Sequence, residues 1–77
     1  MEPAYINELA LLARLNRKLT PRDMQIKRCP EDSSRYPQLG RFYHIATPTG
    51  EVLTAHVDIE DMARKVGALR DWEYLER

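Results

Sequence analysis

The stretch "RFYHIATPTGEVLTAHVDIEDMARKVG", Arg41 to Gly67, decides the fold. Two runs of strand character, "RFYHIA" and "EVLTAHV", flank "TPTG", in which Pro48 suits the first corner of a turn and Gly50 a position of positive φ. The spacing predicts a hairpin over residues 41–57. Beyond it the pattern changes to that of a helix over residues 58–66. Asp58 stands at the N-cap, Asp61 at the third helical position gives an aspartate version of the capping box, and Val57 and Met62 form a hydrophobic staple. Ile59, Met62 and Val66 supply an apolar face, Arg64 and Lys65 place cations in the last turn, and Gly67 is the left-handed stop.

Part of this stretch also invites a chemical reading. Thr54 to Gly67 holds one histidine, three carboxylates and two bases, the residue types of a metal or acid–base site. Every one of these chemical groups except His56 already has a task in the cap or the helix. With Thr47 opposite Gly50, His44 pairs with Leu53 and Arg41 with His56, which sends the two histidines to opposite faces; a one-residue change of register would bring them together. There is no second cysteine beside Cys29, no HExxH and no C-x-x-C. No metal and no other cofactor is expected.

Working outward, "AYINELALLARLNRKL" predicts a helix over about 4–19. Tyr5, Leu9, Leu12, Leu15 and Leu19 recur at steps of three and four, and Ile6, Leu11 and Ala13 widen the stripe. Pro21 favours a stop near Leu19, and the Thr20–Asp23 segment reads as a single turn. "MQIKRC", 24–29, alternates as a half-buried strand does, and "PEDSSRYPQLG", 30–40, is a loop with two prolines and no periodicity. Residues 68–77 form a C-terminal tail. The expected fold class is α+β: a single domain of order α-β-β-β-α, with a three-stranded antiparallel sheet packed against helices. Its expected core is Leu9, Leu12, Leu15, Ile26, Phe42, Ile45, Leu53, Val57, Ile59, Met62 and Val66.

Seventy-seven residues allow one small domain, which buries only about 60% of the surface its unfolded chain exposes. A lone cysteine argues for a reducing, cytoplasmic compartment. The start "MEPAYINE" lacks a signal-peptide charge pattern, and no apolar run approaches the roughly 20 residues of a membrane span, so no membrane partner is expected. Net charge is zero, yet residues 14–41 carry eight basic groups against three acidic ones while residues 42–77 carry four against seven.

"LARLNRKL", "LGRFYHI" and "HVDIEDMARKVGAL" together resemble a pattern in short uncharacterised proteins of proteobacteria and their phages or mobile elements. The resemblance spans most of the chain and implies a bacterial or phage setting. It transfers no catalytic or binding residues.

Function is bounded mainly by exclusion. No P-loop, dinucleotide-binding glycine pattern, paired-carboxylate motif or nucleophile–base arrangement is present, and Cys29 reads as a small semi-buried apolar residue, so no enzyme is expected. The expectation is a small protein-interaction module, a phage or mobile-element accessory or regulatory factor acting on a host protein, with Tyr36, Trp72 and Tyr74 as candidate docking residues, since exposed aromatics are enriched at interface hot spots. The alternative is a nucleic-acid-binding accessory protein that uses Arg14, Arg17, Lys18, Arg22, Lys27 and Arg28 on phosphates. A homodimer through an exposed strand edge is a third arrangement.

Overall fold

A computed structural model describes residues 2–76. In chain order the elements are β1 (Ala4–Ile6), α1 (Glu8–Leu19), a 3₁₀ turn (Thr20–Arg22), β2 (Met24–Arg28), α2 (Tyr36–Leu39), β3 (Phe42–Ala46), β4 (Glu51–Thr54), α3 (Ile59–Lys65) and β5 (Glu73–Leu75). The fold is α+β: β2, β3 and β4 make an antiparallel sheet in that order, packed with helices, and β1 pairs with β5 in a separate parallel ribbon.

The first helix begins four residues later than its apolar stripe suggests. Asn7 holds extended backbone (φ −72°, ψ 161°), and its side chain accepts a hydrogen bond from the Ala10 N–H at 2.8 Å. An N-cap satisfies a donor that the helix itself cannot, so the chain turns helical at Glu8 and leaves Ala4–Ile6 extended. The core face of α1 is consequently Leu11, Leu15 and Leu19, each four residues from the next. Leu9, expected inside, is 70% exposed, and Tyr5 lies on β1 rather than on the helix. At the far end the Thr20 hydroxyl donates to the Asn16 carbonyl, and Asp23, in left-handed backbone, redirects the chain into β2.

One side chain fixes α1 to the sheet. The Asn16 amide donates to the Ile26 carbonyl (3.1 Å) and accepts from the Ile26 N–H (2.7 Å). β2 is an edge strand, and Ile26 faces His44 across β3 with its own N–H and C=O turned away from that strand. Asn16 therefore supplies the hydrogen bonds that a further strand would have made, and α1 seals the edge. Beneath it lies the core of Leu11, Leu15, Leu19, Ile26, Phe42, Ile59, Ala63, Ala68 and Leu69, with Leu12, Val57, Met62 and Val66 packed against it half-buried.

The hairpin register holds at first and then slips. Ala46 faces Glu51 and Ile45 faces Val52, as the turn predicts, but a bulge between His44 and Ile45 pairs His44 with Thr54 instead of Leu53. The extra residue turns Leu53 outward, 46% exposed, which corrects its place in the expected core. Ile45 is buried, but by strand alternation on the face opposite Phe42 and outside the main core.

The 30–40 segment is not wholly irregular. It closes into the short helix α2, whose Leu39 carbonyl accepts from the His56 N–H at 2.8 Å. Gly40 (φ 75°) and His56 (φ 53°) are both left-handed and lie against one another; a Cβ on Gly40 would stand 2.5 Å from His56 Nδ1.

A domain of this size holds only roughly 4–12 kcal/mol in total. Asn16→Ala removes two hydrogen bonds and is expected to cost about 1–3 kcal/mol in urea unfolding. An unchanged midpoint would show that Asn16 is not the anchor described. Gly40→Ala combines left-handed strain with a steric overlap and should cost at least about 2 kcal/mol, read as a fall of several degrees in Tm.

Candidate functional site

The β1–β5 ribbon gathers the exposed aromatic residues. Ala4 pairs with Glu73, Tyr5 with Tyr74 and Ile6 with Leu75. Two three-residue strands do not hold themselves together in water; here α3 holds them. The Arg64 guanidinium donates to the Arg70 and Glu73 carbonyls (3.1 and 2.7 Å), and the Glu60 carboxylate accepts from the Leu75 N–H (2.6 Å). Strand alternation sends Ile6 and Leu75 toward the core and Tyr5 and Tyr74 away from it. The two rings, 63% and 42% exposed, pack with centroids 6.1 Å apart at 37°. Leu9 stands in the first turn of α1, just after the ribbon strand, and Arg64 lies 5.1 Å from the Tyr74 ring centroid.

Trp72 continues this surface. It is half-buried, with the Arg70 guanidinium 5.5 Å from its ring centroid, and together with Pro3, Asp71 and Tyr74 it lines an open cleft of about 320 Å³. The candidates Trp72 and Tyr74 are thus brought together. Tyr36, half-buried on α2, makes no ring contact with them. Tyr5 and Leu9 belong to the surface although the sequence stripe assigns them to a buried helix face. Asn7 before Glu8, a good N-cap, was the signal that could have separated them from that stripe.

The basic candidates do not form one patch. Arg14, Arg17 and Lys18 meet Arg70, Gly67 and Ala68 around a groove of about 270 Å³. Arg22 sits on the 3₁₀ turn, while Lys27 and Arg28 lie on β2, where alternation points Lys27 to the face opposite Ile26. Arg41, elsewhere, binds Glu8 through two hydrogen bonds (3.1 and 2.8 Å), which raise its pKa further above an already high value. Within the groove Arg14 is spent on Glu73 at 2.9 Å. The Glu73 carboxylate also accepts from the Arg70 N–H, and that bond, followed by the one from Arg14, holds its pKa below the ordinary value of 4.5. Among the described residues Arg17 and Lys18 make no ion pair.

A third depression, about 430 Å³, is lined by Thr54, His56, Val57, Asp58, Asp61, Met62 and Lys65. Its carboxylates are engaged. Asp58 accepts from the Glu60 and Asp61 N–H groups as the N-cap, and Asp61 pairs with Lys65 at 3.0 Å. The bulge alters the register on which the two histidines were placed. His56 is exposed, whereas His44 is buried with its Nε2 lacking a hydrogen-bond partner among the described residues. Among those residues no group of three or more His, Cys, Asp or Glu side chains is placed to hold a metal ion. Cys29 is buried.

No known family, curated protein or solved structure matches the chain. Among the described residues no helix is long and apolar enough to cross a membrane.

The lowered pKa of Glu73 sets a pH dependence. Its ion-paired form stabilises the fold fully above pH 4.5, and the contribution is lost as pH falls through the lower folded-state value. The Tm gap between the wild type and Glu73→Gln should therefore be widest at neutral pH and close under acid conditions. Parallel Tm curves across that range would remove Glu73 from the account.

Proposed function

We propose that this chain is a small non-enzymatic interaction module that docks on another protein through the outward face of the β1–β5 ribbon. In the bacterial or phage setting that the resemblance implies, it would serve as an accessory or regulatory factor. The observation that carries the reading is the Tyr5–Tyr74 pair, two large exposed rings set side by side by the strand pairing, with Leu9 beside the same strand. Rings already fixed by a strand pair lose little conformational freedom on binding, which makes them efficient contacts. The cleft beside Trp72 offers a recess for one partner side chain.

The nucleic-acid alternative draws less support. Arg70 covers one face of the Trp72 ring and the two tyrosines pack on each other, which restricts the flat faces on which bases would stack. The cations that would track a phosphate backbone are dispersed over α1, the 3₁₀ turn and β2.

A photo-crosslinking residue at position 5 or 74 tests the reading, with position 53 as the exposed control. In a nuclease-treated extract of the native host, positions 5 and 74 should capture one identifiable protein, resistant to high salt, while position 53 does not. Tyr5→Ser/Tyr74→Ser, checked for an intact fold, should bind that protein at least roughly tenfold more weakly, the loss of two modest hot spots. Capture of nucleic acid alone, or of a second copy alone, would overturn the reading.

A further inference from the structure

The groove lined by Arg14, Arg17, Lys18 and Arg70 lies next to the ribbon but is absorbed neither by it nor by the core. Its cations come from two distant parts of the chain: the last turns of α1 and the turn that follows α3. They converge because α1 packs beside α3 and because Arg14 reaches Glu73 of β5 at 2.9 Å. That single carboxylate neutralises one of the four charges. The groove therefore keeps a local excess of about three positive charges on a chain whose net charge is zero. Arg17 and Lys18 are exposed, and the helix C-terminus beneath them accounts for cations in this turn without requiring so many at one groove.

Arg70 joins this groove to the aromatic surface. Its guanidinium lies over Trp72, and Trp72 shares the neighbouring cleft with Tyr74. A ligand filling the groove and a protein resting on the Tyr5–Tyr74 face would therefore be contiguous across residues 70–74. We infer that the groove receives an acidic segment of the same protein partner, so that its carboxylates meet Arg17, Lys18 and Arg70 while its apolar side chains rest on the ribbon. The inference rests on the docking function proposed above. Charge complementarity of this kind steers the encounter and fixes the register, while the aromatic contacts slow release. An acidic peptide fits better than a polynucleotide: the excess charge is confined to one short groove, and the adjoining Trp72 ring carries Arg70 on its face.

The probe is an acetylated oligoglutamate peptide, titrated into the isotope-labelled full chain, with single-stranded oligothymidylate as the second arm. Oligoglutamate should shift the amide resonances of residues 14–18 and 67–70 and lose affinity with added salt. Arg17→Ala/Lys18→Ala, which removes two exposed and unpaired side chains, should bind it roughly tenfold more weakly, as expected for two surface ion pairs. Tyr5→Ser/Tyr74→Ser should leave oligoglutamate binding unchanged. Tighter binding of oligothymidylate, or peptide-induced shifts confined to other residues, would overturn the inference. So would a captured partner that binds Arg17→Ala/Lys18→Ala at full strength, and that result would leave the ribbon reading standing. Failure of positions 5 and 74 to capture any protein would instead bring down the docking reading, and this inference with it, even if oligoglutamate occupies the groove.

Discussion

Asn16 meets Ile26 with both a donor and an acceptor, and this fixes α1 against the sheet in depth and in rotation. With that rotation set, Leu11, Leu15 and Leu19 enter the core and Arg14, Arg17 and Lys18 take the side nearer the 67–70 turn. A helix held only by apolar contacts could slide by small amounts, since such contacts are not directional. A two-point amide bond allows no such freedom. The same device recurs at the other sheet, where Arg64 and Glu60 of α3 provide a donor and an acceptor to the outer edge of β5. Both helices thus seal a strand edge with polar side chains, which leaves the outer edges of β1 and β4 without a neighbouring strand among the described residues.

What was legible in the sequence follows from how local each signal is. The turn at Thr47–Gly50, the Asp58 cap, the stop at Gly67 and the turn before β2 all depend on residues within a few positions of one another, and all are found where the spacing places them. The ribbon was not legible. Three residues are too few to show a period, and Ala4–Ile6 becomes a strand only because Glu73–Leu75, from the other end of the chain, lies beside it. The bulge at His44 was invisible for a related reason. It is a shift of pairing between two strands, and the His56 contacts with Gly40 and Leu39 that follow it reach a segment whose short helix lacks any repeating pattern. The sequence marked Trp72 and Tyr74 as surface candidates but had no means of pairing Tyr74 with Tyr5.

The surface chemistry follows from this architecture more than from any motif. The domain measures 41 × 28 × 15 Å, and its shortest dimension leaves room for a sheet and a helix layer. Its depressions are open, and the carboxylates Asp58, Asp61 and Glu73 near them are committed to a cap and to ion pairs.

The parallel pairing of β1 with β5 ties residues 4–6 to residues 73–75. Residues 7–72 lie between the two strands, so this is a long-range pairing, and α1 and α3 brace it through Arg14, Arg64 and Glu60. Tyr5 and Tyr74 are therefore neighbours through the fold alone: neither strand sets its ring beside the other until the two are paired.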